Sequence, residues 1–353
     1  MGSRWTRSLM FLTFSALVLI SGFNLLVDPL QQYKIFTAVK PVYLNPRYLN
    51  AGIAKSHTYD SVVVGTSMSE NFFLNDVSSL LNFKNPVKLT ISGANVHDIN
   101  RILDTAYKYQ NIKDVLCDIH YYSYTGEVHT FSKGATSLPG YLYDDNLFND
   151  YQYLMNIDTV KLSLRALKFN IFNADNILLD QNRMYQWQHN FLSSFGKENI
   201  WRAWRSRSKD IKVETMQASE KFERLKNNFD VNLLPIIEKH PETNFYFYYP
   251  PYSILKYKQF MERSWLGSAL KFKKYVFDVL NEYPNVKIYD FQIAEEITHN
   301  LNTYRDISHY HQNTNHWILE QIRDDNYRVS HNNVNNINKK LLHQIDVFDF
   351  ENE

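Results

Sequence analysis

The sequence predicts an α/β protein built on a parallel sheet and carried behind one long apolar N-terminal segment. Short β-rich apolar runs alternate with longer stretches of helical periodicity, which is the pattern of strands joined by crossover helices. A run of 20 residues without a charged side chain, Ser8 to Val27, stands alone at the N-terminus. The chain has 353 residues, about two domains' worth or one large domain with an insertion.

At a rise of about 1.5 Å per residue, that first run reaches roughly 30 Å as a helix, the thickness of a bilayer's hydrocarbon core. Arg4 and Arg7 precede it and Asp28 closes it. The positive-inside rule then keeps the N-terminus in the cytoplasm and sends the rest across the inner or cytoplasmic membrane as an extracytoplasmic domain. A cleaved signal peptide is the rival. Its apolar region is normally shorter and ends at a small-residue site, whereas this run exits through NLLVDPLQQY. The division expected is a stub and anchor over residues 1–29 and a single domain over 30–353.

The candidate strands follow in order: SVVV (Ser61 to Val64), VKLTI (Val87 to Ile91), VLCDI (Val115 to Ile119), NFYFYY (Asn244 to Tyr249) and VKIY (Val286 to Tyr289). Between the first two lies NFFLNDVSSLLNF. After the second, Val96, Ile99, Ile102, Leu103 and Ala106 recur at helical offsets behind Asn95 or Ser92 as cap. From about 141 to 237 the alternation stops, and a polar, aromatic, helix-compatible segment is expected as an insertion, a lid or a platform. The Asn-rich tail HNNVNNINKK shows no chemistry of its own.

Composition excludes several function classes. The formal charge is +1 and no long basic block occurs, so nucleic acid is not an expected partner. One cysteine, Cys117, rules out an intrachain disulfide, a multi-cysteine zinc site and an iron–sulfur cluster. His309, His311 and His316 lie close in sequence, but without a H-E-x-x-H pattern no metal is expected, and no cofactor is implied. Aromatics make up 15% of the chain, a share that suits amphipathic surfaces and sugar stacking. WRAWRSRS, Trp201 to Ser208, fits either a sugar or headgroup site or one helix face with a solvated side.

Two motifs carry candidate chemistry. In DSVVVGTSMSENF a strand runs into Gly65-Thr66-Ser67, where a glycine allows a tight turn at the strand's C-terminal end and the Ser67 hydroxyl can face a crevice. An ordinary turn with a capping serine reads the same. Near the C-terminus, Asp306-Ile307-Ser308-His309 follows the last strand by a loop. Chance yields about one Asp-x-x-His in a chain of this composition, so its position after the last strand is what counts. There Asp306 can hold His309 in the tautomer that accepts the Ser67 proton.

Gly-x-Ser after the first strand, a glycine after the second in ISGAN, and Asp-x-x-His near the C-terminus together resemble the SGNH (GDSL-type) hydrolase superfamily. NLLVDPLQQY, YYPPYSIL and DISHYHQNTNHWILEQI look like its membrane-anchored extracytoplasmic branch, which includes the D-alanyl transfer protein of the teichoic-acid system and exopolysaccharide O-acetylation proteins. The resemblance covers scattered blocks from Asn24 to about Ile322. It implies a flavodoxin-like three-layer fold around a parallel five-stranded sheet. It implies Ser67 as nucleophile, His309 as base, Asp306 as its orienter, and the amides of Ser67 and Gly93 in an oxyanion hole. The implied activity is that of an esterase or O-acyltransferase on acyl esters of a cell-envelope glycan, with a multi-pass membrane acyltransferase as acyl supplier. One block departs: where the family usually has Gly-x-Asn-Asp after the third strand, this chain reads CDIHYYSY. Losing one oxyanion donor typically slows such a reaction about 10²- to 10³-fold, so Asn95, His120 or Tyr122 is needed in its place. A non-catalytic protein that keeps the fold and binds glycan or a partner is the alternative.

Overall fold

The computed structural model describes residues 2–33, 38–132, 137–206 and 216–350. Five strands form one sheet in the order β2-β1-β3-β4-β5: β1 Ser61–Gly65, β2 Pro86–Thr90, β3 Asp114–Asp118, β4 Asn244–Tyr249 and β5 Val286–Asp290. All four pairings are parallel, with Ser61 opposite both Pro86 and Asp114, and Phe245 opposite both Val115 and Val286. The expected strands are therefore present within a residue or two. β1 is buried along its whole length, and Val62, Val63 and Val64 are fully excluded from solvent. Such strands need cover on both faces, and two helical layers supply it. On one side α2 (Pro46–Ser56), α4 (Val96–Tyr109) and the helices Ala218–Asn232 and Leu266–Leu280 pack in succession. On the other, α3 (Leu74–Leu81) packs on the helix Gln312–Arg323.

α4 starts where its sequence requires. Asn95 Oδ1 accepts the Asp98 amide at 2.9 Å and Asp98 Oδ2 accepts the Asn95 amide at 3.1 Å, a reciprocal cap that satisfies two orphan donors. Its buried face carries Val96, Ile99, Ile102, Leu103 and Ala106, the set the periodicity picks out.

The stretch 141–237 is not uniform. Its part from 218 onward belongs to the layer covering the sheet, because Ala218–Asn232 buries Phe222, Leu225 and Phe229 against α4 and Leu266–Leu280. The remainder holds short helical turns and the helices Ile157–Phe172 and Lys197–Ser206. In the latter Trp201 and Trp204 are buried while Arg202 and Arg205 stay exposed, so WRAWRS is one packed and one solvated face; Arg207 and Ser208 lie outside the described residues. The Asn-rich tail forms the helix Val334–Val347, which buries Val334, Ile337, Leu341 and Ile345; its asparagines mask an apolar stripe of helical period.

The N-terminal run forms α1 (Gly2–Val27), long and apolar enough to cross a membrane. Its outer end is built into the domain. Asn24 is fully buried, donates to the Leu154 carbonyl at 2.9 Å and accepts from Ser163 Oγ at 2.9 Å. Asp28 accepts the Gln32 amide, the Tyr33 amide and the Tyr153 hydroxyl at 2.8–2.9 Å.

Candidate active site

The site lies at the C-terminal edge of the sheet, where β1 ends beside both β2 and β3 and an open α/β sheet presents its crevice. β1 leads into Gly65, whose φ of +135° is open to glycine and strained for other residues. A Cβ there would sit 1.9 Å from Asp118 Oδ1. That close approach lets the carboxyl at the end of β3 hold the turn. Asp118 accepts the Thr66 amide at 2.8 Å, the Thr66 hydroxyl at 2.8 Å and the Ser69 hydroxyl at 2.6 Å. Ser69 is also hydrogen bonded to the Tyr248 hydroxyl at 2.8 Å. Burial raises the Asp118 pKa, and these donors oppose the rise. Three strands thus fix the turn that aims Ser67.

Ser67 Oγ is 2.8 Å from His309 Nε2. His309 Nδ1 is 2.8 Å from Asp306 Oδ2 and 3.0 Å from Oδ1. Asp306 Oδ1 further accepts the Ser308 and His309 amides, each at 2.9 Å. Burial works to raise the Asp306 pKa. The hydrogen bond and charge of His309 and the two amides outweigh it, holding the carboxyl well below its ordinary range. Asp306 is thereby an ionised acceptor on the Nδ1 side of the His309 ring, opposite the Nε2 that meets the serine. The loop itself is pinned to the segment after β4: Ser253 Oγ donates to the Ile307 carbonyl at 2.7 Å, and Tyr304 OH to the Pro251 carbonyl at 2.7 Å. YYPPYSIL thus braces DISH.

Several participants carry no local sequence signal. Trp187 comes from the long segment before β4, donates Nε1 to the Ser67 carbonyl at 2.9 Å and sets its ring edge-on to His309 at 5.3 Å. It is delivered by Asn71 Oδ1, which accepts the Trp187 and Gln188 amides at 3.2 and 3.3 Å. The Arg305 guanidinium lies over the Trp187 and Phe191 rings and 3.6 Å from Asp306. Glu70 is buried at the floor of the same crevice, its pKa raised by burial against the opposing charge of Lys88. Lys88 donates to the carbonyls of Glu70 and Met184 at 2.8 and 2.7 Å.

The crevice holds about 430 Å³, with Ser67, Ser92, Trp187, Phe191, Arg305 and His309 on its walls. Gly93, Asn95, His120 and Tyr122 line a neighbouring cavity of about 530 Å³ instead. Gly93 has φ +67° and open space above its Cα. Among the described residues, neither the Ser67 nor the Gly93 amide donates to a protein acceptor. Asn95 donates its side-chain amide to the Thr130 carbonyl at 2.6 Å. Tyr122 lies under the Lys256 ammonium at 4.8 Å. His120, two residues past the end of β3, has its pKa pushed down to about 3 by burial, then by the charges of Lys256 and His309. It is a neutral imidazole with its ring beside those of Tyr122 and Tyr252, each at 5.5 Å. A larger cavity, about 1070 Å³, is lined by Lys197, Trp201, Arg202, Arg205 and Ser206, and among the described residues the Ser206 hydroxyl donates to the Ala203 carbonyl rather than to a base. His311 and His316 take separate partners, Gln188 at 3.0 Å and Asp76 at 2.9 Å, and Cys117 is buried in β3.

The chain matches no family model and no curated protein. Among solved structures it is similar to a Streptococcus pneumonia chain carrying the provisional description platelet activating factor, at 10% identity and TM-score 0.39, over 79% of this chain and 90% of that one.

Proposed function

We propose that this chain is a membrane-anchored serine esterase or O-acyltransferase acting on acyl esters of a cell-envelope glycan. The observation that carries the reading is the unbroken line of contacts from Ser67 Oγ through His309 to Asp306, each at 2.8 Å. In such a line Ser67 Oγ attacks the acyl carbonyl as its proton passes to His309 Nε2. The C–O bond to the leaving alcohol then breaks, and the alcohol takes that proton. Water or a sugar hydroxyl resolves the acyl-serine by the reverse sequence. Water gives hydrolysis; a sugar gives transfer. The Ser67 amide, which donates to no protein acceptor among the described residues, is the donor at hand for the oxyanion; the Gly93 amide, which the resemblance adds, belongs to the neighbouring cavity.

An uncleaved anchor is supported by the burial of Asn24 and by the Asp28 contacts, which make the end of α1 part of the domain. Arg4 and Arg7 favour a cytoplasmic N-terminus and an extracytoplasmic domain. The glycan substrate and a multi-pass acyltransferase as donor rest on the sequence resemblance alone.

A fluorophosphonate probe on the full-length protein in detergent, followed by intact mass, tests the reading. One adduct on the wild type and none on Ser67→Ala supports it. Unlabelled but folded wild type favours the second reading, a glycan- or partner-binding protein. The commitment of the Asn95 amide to Thr130 speaks for that alternative.

A further inference from the structure

α1 fixes the height of its neighbours above the bilayer. Arg7 keeps its charge on the near side of the membrane, and Asn24 lies seventeen residues further along the helix, about 25 Å at about 1.5 Å per residue. That is less than the roughly 30 Å of hydrocarbon a spanning helix crosses. Asn24, and Ser163 which donates to it, therefore sit at the far edge of the apolar layer. The helix Ile157–Phe172 turns Thr159, Ser163 and Ala166 inward and packs on α1.

The other side of this helix, and the short turns just before it, are unusual for a water-facing surface. Ile157, Ile171 and Phe172 on the helix, and Leu147, Phe148 and Tyr151 on the turns before it, are between 58% and 93% exposed. Apolar patches of this kind on soluble surfaces mark interaction sites. The exposed line of the helix also carries Lys161, Arg165 and Lys168 between Ile157, Leu164 and Ile171; Lys161 is paired with the exposed Asp158 at 2.7 Å, which leaves Arg165 and Lys168 as the cations without a carboxylate partner among the described residues. Apolar side chains interleaved with long cationic ones are the composition of elements that lie in a headgroup layer, where the cations reach phosphates.

We propose that residues 147–172 form a second membrane contact, lying in the headgroup region of the leaflet where α1 emerges. The patch is continuous with the anchor, and the proposal rests on α1 being one. Lipid is its occupant.

The test places an environment-sensitive fluorophore on single cysteines of the full-length protein, reconstituted in phosphatidylcholine–phosphatidylglycerol vesicles. Cys117 is buried and stays unlabelled. The labelled variants are F148C and F172C, with L12C inside α1 and L342C on Val334–Val347, a helix that packs away from α1. Spin-labelled lipid quenching at headgroup depth should dim positions 148 and 172 about twofold or more while leaving 342 unchanged. If 148 and 172 behave like 342 while 12 is quenched by lipid spin-labelled along its acyl chain, the second contact is overturned and the anchor stands. If 12 is not quenched by the acyl-chain label either, both readings fall. Disulfide crosslinking between copies of the unlabelled F148C or F172C variants assigns the patch to a dimer and also overturns the proposal.

Discussion

Gly65→Ala strikes the point on which the serine turn depends. The new Cβ would stand 1.9 Å from Asp118 Oδ1 and 2.8 Å from its Cγ, distances no real contact tolerates. The backbone at φ +135° adds strain for any side chain, about 1–3 kcal/mol. Asp118 is walled in at 1% exposure, so relieving the clash means breaking hydrogen bonds from Thr66 and Ser69. Each buried polar group left unmatched costs about 1–3 kcal/mol. With one or two such losses the sum is roughly 2–9 kcal/mol, against a total stability of about 5–15 kcal/mol for a typical domain. Urea denaturation in detergent, followed by tryptophan fluorescence, should show a large share of the folding free energy gone. Gly93→Ala is the control: its φ of +67° is also left-handed, but nothing lies within 4 Å, so only about 1–2 kcal/mol should be lost. Asp118→Ala in the Gly65→Ala background removes the obstacle, and the double variant should be less destabilised than the two singles added together. A Gly65→Ala protein within about 1 kcal/mol of wild type would refute the account of the turn.

Asp306→Asn keeps the size of the side chain but removes the charge that orients His309; fluorophosphonate labelling of Ser67 should slow by about 10³- to 10⁴-fold, read by time-resolved intact mass. Trp187→Phe leaves the edge contact with His309 and deletes the donor to the Ser67 carbonyl, which should cost about 1 kcal/mol in urea denaturation and slow labelling severalfold. His120 titrates near 3 in the fold and near 6.5 in an unfolded chain, so the unfolded state binds the extra proton between those values. Stability should therefore be full above pH 6.5 and fall as the pH drops toward 3, by up to about 1.4 kcal/mol per unit, and His120→Gln should flatten that slope in denaturation midpoints measured against pH.

The strands and α4 were legible because their signals are local. SVVV and NFYFYY are β-rich runs, and the apolar positions of α4 repeat at helical offsets behind a capping asparagine. Ser67, Asp306 and His309 were legible for a related reason: each sits directly on a turn or loop whose place after a strand can be counted along the chain. Trp187 was not. It reaches Ser67 through Asn71 and across more than a hundred residues of separation, so no spacing announces it. Asp118 reads in sequence as the polar end of a strand, and only the parallel register of β1 and β3 brings it beneath Gly65. Asn95 satisfied its capping signal, and that same local role, with Thr130 on its amide, is what the oxyanion argument from sequence could not weigh. The Asn-rich tail concealed its helix because asparagine favours turns, whereas burial of Ile337 and Leu341 overrides that preference.

The join between α1 and the domain has a mechanical consequence. A helix that buries Asn24 and Val27 in its last turn, and whose next residue anchors two backbone amides and a tyrosine, acts as a spoke rather than a tether. A tethered domain sweeps a volume and meets whatever drifts into it. A spoke holds Ser67 at one distance and one bearing relative to α1, so under the proposed function reach becomes a matter of geometry: an ester would have to arrive at that distance to be met at all. Cutting the spoke loose with a flexible insert after Asp28 would leave every contact in the crevice intact and change only where the crevice points.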